Sequence, residues 1–169
     1  SMESVQESNW EGAIPVLISL AETSLSTPTA PEPLHAMLYR QTFLHIGLSF
    51  VIRRLHKFAP PSFHSPIILR EEDYDDGAVA TRQESTAKRK EQSGLPVCWF
   101  EDDATQRPLR WHVWVGVLYD LHNHPSEKLP WRIRLHFNNY PSKQILPLSA
   151  GRVQEEVRGV YQNSLKQAV

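Results

Sequence analysis

The sequence predicts an α+β domain, a mixed sheet with helices packed on one face, followed by a C-terminal helix. Three observations carry that reading. Residues 131–137 (WRIRLHF) alternate strictly, with Trp131, Ile133, Leu135 and Phe137 inward and Arg132, Arg134 and His136 outward, the period of a half-buried strand. Residues 46–58 place Leu48, Val51, Ile52, Leu55 and Phe58 at helical spacing, with Arg53, Arg54 and Lys57 on the other face. The remaining segments complete an order of strand, strand, helix, strand, strand, helix, strand and a further helix.

The elements follow in turn. A helical turn around residues 5–10 leads into 13–20 (AIPVLISL), an apolar run of strand length. Residues 23–33 hold three prolines among Ser, Thr and Ala and read as a loop. Residues 34–43, with Leu34, Ala36 and Leu38 alternating, predict a second strand, and 46–58 the helix packed across it. Residues 97–101 (VCWFE) and 109–112 (LRWH) flank a polar turn at 102–108 and predict a hairpin. Val113, Val117, Leu118 and Leu121 predict a helix over 113–121, weakened by its valines. After the 131–137 strand, Val153, Val157, Val160, Tyr161 and Leu165 lie at helical spacing within 151–169. Five strands in this order match the β-grasp layout of ubiquitin.

One stretch departs from the pattern. Residues 59–96 open on Pro60-Pro61, run through an acidic block (Glu71, Glu72, Asp73, Asp75, Asp76) and a basic one (Lys88, Arg89, Lys90), and close on Gly94 and Pro96. Almost nothing apolar lies between Leu69 and Leu95, so an inserted, mobile loop is expected. The organisation is therefore a helical segment at 1–12, a ubiquitin-like domain at 13–140 carrying the 59–96 insertion, and a further region at 141–169.

Composition excludes several functions. The chain has 169 residues and a formal charge of −1, from 18 Lys+Arg against 19 Asp+Glu, which argues against a general nucleic-acid binder. No apolar run approaches the roughly 18 residues of a membrane span, and no signal peptide opens the chain. Ser1-Met2 reads as the remnant of a protease site before a native start methionine. A single cysteine allows neither an internal disulfide nor a cysteine zinc cluster, and a reducing, cytoplasmic setting fits.

Candidate chemistry is sparse. Cys98 lies between Val97 and Trp99 in an apolar strand and reads as a buried structural thiol rather than a nucleophile. His122 and His124 form an H-x-H pair in a polar loop with Asp120 as the one nearby acid; His112 and His136 lie elsewhere, and a solvated pair is expected rather than a metal site. Asp102-Asp103 read as solvated turn residues. Glycine-rich phosphate loops, G-x-S-x-G and H-E-x-x-H are all missing, so neither catalytic residues, metal nor cofactor is expected. Five tryptophans (Trp10, Trp99, Trp111, Trp114, Trp131) divide between core and interface roles, and Trp10, ahead of the first strand, is the candidate partner-binding residue.

Taken jointly, Trp99-Phe100-Glu101, Pro108-Leu109-Arg110-Trp111-His112, Gly116, Tyr119-Asp120-Leu121, Leu129-Pro130-Trp131 and His136-Phe137 resemble the autophagy protein 5 family, as does the opening Trp10-Glu11-Gly12-Ala13-Ile14-Pro15. The resemblance spans most of the chain except 59–96. It implies a first ubiquitin-like domain followed by the start of a helix-rich region at 141–169, in a fragment that stops before a second ubiquitin-like domain. The tail from Glu156 to Ala168 resembles the family's acceptor helix, which places Lys166 on the lysine joined by an isopeptide bond to autophagy protein 12.

The implied role is that of a non-catalytic acceptor and scaffold. With autophagy protein 12 attached covalently by a separate conjugating enzyme, and autophagy protein 16 bound, it promotes lipidation of autophagy protein 8 in autophagosome assembly, in the cytoplasm and peripherally at the preautophagosomal structure membrane. This fragment is expected to bind autophagy protein 16 weakly or not at all. A free lysine has a pKa near 10.4, so attack on a thioester needs help from the enzyme complex. The competing readings are an unconjugated ubiquitin-like interaction module, with Lys166 an ordinary surface lysine, and a thiol enzyme using Cys98. Arg53, Arg54 and Lys57 supply only about 1 kcal/mol each at an anionic surface, so any membrane contact is expected to be weak.

Overall fold

The computed structural model describes residues 12–60, 95–122, 128–148 and 153–167. The expected helical turn at 5–10, Trp10, His124 and all but the ends of the 59–96 insertion lie outside these residues. The described strands are β1 (Ala13–Leu20), β2 (Leu34–Tyr39), β3 (Trp99–Asp102), β4 (Pro108–Leu109) and β5 (Trp131–His136). They form one sheet in the order β2-β1-β5-β3-β4. β1 runs antiparallel to β2 and parallel to β5, and β3 runs antiparallel to both β4 and β5. The α+β, ubiquitin-like expectation is thereby met, including the C-terminal helix.

Alternation explains the central strands. Ile14, Val16, Ile18 and Leu20 turn inward from β1, and Trp131, Ile133 and Leu135 from β5, all of them buried. The pairs Val16–Trp131, Ile18–Ile133 and Leu20–Leu135 are register partners, so two apolar rows meet at the middle of the sheet.

The helical layer differs in detail from the expectation. In place of one helix over 46–58, α1 (Leu44–Gly47) and α2 (Ser49–His56) are separated at Leu48, whose φ −107° and ψ 17° leave the helical region. The break keeps Leu44, Leu48, Val51, Ile52 and Leu55 all buried. Gly47 is needed at this crossing, because a Cβ there would stand 2.5 Å from Leu38 Cδ2. β2 stops at Tyr39 rather than residue 43. The 40–43 turn instead supplies the carbonyls of Arg40 and Thr42 to the amides of Gly116 and Val115, each at 2.9 Å. These satisfy two donors that the start of α3 (Val115–His122) would otherwise leave open. Arg40 lies against Gly116 and pairs with Asp120 at 2.5 Å, so the acid nearest the H-x-H pair is engaged.

β4 is shorter than the expected 109–112, because Trp111 leaves the sheet and donates its indole N–H to the Leu146 carbonyl at 2.8 Å. The expectation of a solvated Asp102-Asp103 pair is corrected for Asp102. Asp102 is fully buried, where Oδ1 accepts the Trp131 indole N–H at 2.7 Å and Oδ2 accepts the Thr105 backbone N–H and hydroxyl. Only Asp103 keeps partial solvent contact, pairing with Arg134 Nε at 2.6 Å. Asp102 therefore organises its own turn and ties it to β5 across 29 residues. Replacing Asp102 with Ala should strand a buried indole donor and free the turn, at a cost of about 2–4 kcal/mol. The urea midpoint of Asp102→Ala against the parent reads this out, and an unchanged midpoint contradicts it.

Candidate functional site

The site begins at the edge of the domain, where residues 138–148 cross from the sheet to the last helix. Trp111 Nε1 and the Tyr140 hydroxyl both donate to the Leu146 carbonyl, and Ile145 and Leu148 are buried beneath them. Burial pushes the Tyr140 phenol up to about 12, so it stays a neutral donor at physiological pH. This clasp delivers the chain to α4 (Val153–Gln167).

One stripe of α4 packs on the domain. Val157 is fully buried, and Val160 and Tyr161 pack partly buried against the core, in the i, i+3, i+4 arrangement of a docked helix. The Tyr161 ring meets Phe43 edge-on at 5.6 Å and Trp114 at 5.7 Å, and Phe43 and Trp114 are 5.1 Å apart. Three aromatics from three separate segments thus pin the helix by contacts that need specific ring angles.

Lys166 lies in the last turn of α4 and is exposed. It follows Val157 by nine residues, so at about 100° per residue it points about 180° away from the docked stripe. Glu155 and Glu156 in the first turn and Lys166 in the last suit the helix dipole. Docking and presentation are therefore set by opposite faces of one helix.

Beside this helix, His45, Ile46, Ser49, Leu95, Val157 and Arg158 line a pocket of about 100 Å³. His45 is buried with its Nε2 2.9 Å from the Cys98 carbonyl, an acceptor, so Nε2 carries the proton and donates. Its Nδ1 makes no hydrogen bond with the described residues. Burial, only partly offset by that bond, pulls its pKa down to about 4.

The other candidates take their places. Cys98 is buried as expected, burial pushes its thiol up, and His45 engages its carbonyl rather than its sulfur, so His45 forms no thiolate pair with it. Trp99, Trp111 and Trp131 are core residues with their indoles donating to the Asn138 carbonyl, the Leu146 carbonyl and Asp102. His122 ends α3, with its pKa lowered mainly by burial, and His136 stacks on Trp99 at 3.9 Å. Among the described residues, His, Cys, Asp and Glu side chains form no group of three able to hold a metal, and no helix is long and apolar enough to cross a membrane. Sequence reading missed the roles of His45 and Phe43. Tyr161 carried the one available signal, an aromatic on the helical stripe.

Comparison with known proteins places this arrangement. The profile described as "Autophagy protein ATG5, UblA domain" matches residues 9–72 and 78–137. Autophagy protein 5 of Oryza sativa subsp. japonica is 28% identical over 159 residues, covering 94% of this chain and 32% of that protein. Autophagy protein 5 of Emericella nidulans is 28% identical over 182 residues, covering 99% of this chain and 45% of that protein. The crystal structure of Kluyveromyces marxianus Atg5 superposes with a TM-score of 0.59 at 23% identity, over 99% of this chain and 56% of that one. The chain thus spans between about a third and a half of the length of these curated relatives.

Two outcomes follow for the site. The folded domain holds His45 neutral down to about pH 4, whereas the unfolded chain titrates it near 6.5. Between those values the unfolded state binds more protons. The stability contributed is therefore complete above about pH 6.5 and falls by about 3 kcal/mol as pH drops through the window. Burial lowers His112, His122 and His136 too, in the same direction. Urea titrations from pH 7 to 4 should show the loss, and His45→Gln should flatten it; an equally steep variant contradicts the assignment. Separately, Gly159 has open space around its Cα, so Gly159→Ala should strengthen α4 by about 0.5–1 kcal/mol, while Tyr161→Ala should weaken its docking. Amide exchange along 157–165 should slow in the first variant and quicken in the second.

Proposed function

The chain belongs to the autophagy protein 5 family, and from that premise we propose that it is a non-catalytic conjugation acceptor and scaffold of the autophagy machinery. The observation that carries the reading is the exposed Lys166 on a helix whose opposite face is locked to the domain. An acceptor lysine must be reachable by a bulky enzyme-bound thioester and still be held in a defined place. Docking by Val157 and Tyr161 supplies the second requirement, and the outward turn of the helix supplies the first.

In the proposed reaction the neutral Lys166 amine attacks the thioester carbonyl at the C-terminal glycine of autophagy protein 12. The C–N isopeptide bond forms, the C–S bond breaks, the conjugating enzyme leaves as its thiolate, and the amine proton passes to a base or solvent. Activation belongs to that enzyme, and this chain contributes the nucleophile and the platform. The buried Cys98 fits a scaffold role, since its thiol is closed off and His45 beside it bonds its carbonyl rather than its sulfur. In the further proposed steps the conjugate joins autophagy protein 16 and promotes attachment of autophagy protein 8 to lipid, in the cytoplasm and at the preautophagosomal structure membrane. Trp10 stays the proposed contact for a partner.

An unconjugated interaction module is the second reading, favoured by Met37 and Tyr39, which stand 60% and 69% exposed on the edge strand β2. Conjugation separates the two. In a reconstituted reaction with the family's activating enzyme, conjugating enzyme, modifier and ATP, the parent should gain the mass of one modifier. Lys166→Arg keeps the charge but should gain nothing. Equal modification of the variant would place the bond elsewhere, and an unmodified parent, also when extended beyond Val169, would favour the module.

A further inference from the structure

The pocket between α1 and α4 has no role in the account above. Ile46, Leu95 and Val157 give it apolar walls, and three polar side chains join them, His45, Ser49 and Arg158. The His45 imidazole is only 2% exposed and donates its Nε2 proton to the Cys98 carbonyl, which leaves Nδ1 a bare acceptor without a hydrogen bond. Burial holds the ring neutral at physiological pH, so Nδ1 keeps its lone pair. A buried acceptor with no partner is costly, and whatever satisfies it must carry a donor. Arg158 is exposed and forms no salt bridge among the described residues. A bare acceptor, an apolar wall and a free guanidinium thus line one concave space.

We propose that this pocket binds a short aliphatic hydroxy acid, its hydroxyl donating to His45 Nδ1, its carboxylate at the Arg158 guanidinium and its carbon chain against Ile46, Leu95 and Val157. Few polar groups in an apolar pocket are what fix the orientation of a small ligand. An ammonium in place of the hydroxyl would bring a second cation toward Arg158 and add the cost of burying it. Inorganic phosphate carries both a donor and a charge but offers no carbon to the apolar walls. Size agrees as well. A cavity of about 150 Å³ admits benzene, so one of about 100 Å³ admits a molecule of the size of lactate with its carboxylate at the exposed Arg158 end. Such an occupant touches α1 and α4 together and favours the docked helix by mass action. The site does not depend on conjugation at Lys166.

The test is a titration of the isotope-labelled 169-residue chain with sodium lactate at constant ionic strength, followed by amide and imidazole NMR shifts. Lactate should saturate with a Kd on the order of 1 mM, the modest affinity expected of so few heavy atoms. The amides of Ile46, Ser49, Val157 and Arg158 should move, and the His45 Nδ1 resonance should shift upfield as it accepts. Propionate lacks the hydroxyl and should bind about tenfold more weakly. Propylene glycol keeps the hydroxyl but lacks the carboxylate and should lose about fivefold, and Arg158→Gln should lose the same for lactate while leaving propylene glycol unchanged. Comparing the three probes on the parent needs no variant to fold. Saturating lactate should also slow amide exchange along 157–165. An absence of saturable shifts, propionate binding as tightly as lactate, Arg158→Gln with the parent's affinity, or shifts confined to residues outside the pocket would each overturn the proposal.

Discussion

The parallel pairing of β1 with β5 is the constraint on which the rest of the domain depends. The first described strand and the last lie side by side at the centre of the sheet, yet Val16 and its partner Trp131 are more than a hundred residues apart. Parallel neighbours cannot be joined by a tight turn, so everything between them must be an excursion that returns to the same core. α1 and α2 make one excursion, the β3–β4 hairpin and α3 another. The 59–96 stretch lengthens the same connection, and Ala59 and Leu95, described residues near its two ends, are both buried. Lengthening a connection already so long adds little closure entropy, because that cost grows only with the logarithm of loop length.

Polar tie points then fix how the excursions sit. Three tryptophans bury their rings and pass their N–H groups to specific acceptors, which turns apolar mass into positional information. Asp102 holds the hairpin turn to β5, and Trp111 holds the 138–148 crossing beside Tyr140. The sheet thereby decides where α4 begins, and Phe43, Trp114 and Tyr161 decide which face it shows. Placement of Lys166 is inherited from these contacts rather than made by any neighbour of the lysine.

How much of this was legible follows from the range of each interaction. β1 and most of β5 were legible because one-sided burial writes itself into local alternation, and the outward turn of Arg53, Arg54 and Lys57 for the same reason. His136, expected at the solvent face, is instead buried by stacking on Trp99. The break at Leu48 was not, since Leu48 stays buried and continues the apolar stripe across it. Asp102 reads as a turn residue because it is one. Its burial depends on Trp131, and sequence spacing carries no trace of that pairing. β2 and β4 ended early because Arg40 and Trp111 leave the sheet for partners distant in sequence. The proposed role of Lys166 rests on family resemblance alone, as nothing in the chemistry of a lone surface lysine sets it apart.

The central claim is that α4 is a docked helix presenting Lys166 away from the domain. Nuclear Overhauser contacts in the full chain test it most directly. The account predicts contacts from the Tyr161 ring to Phe43 and Trp114, with the Lys166 side chain contacting only its own helix. A Tyr161 ring without contacts to either aromatic, or a Lys166 methylene chain packed against β-sheet residues, would contradict it.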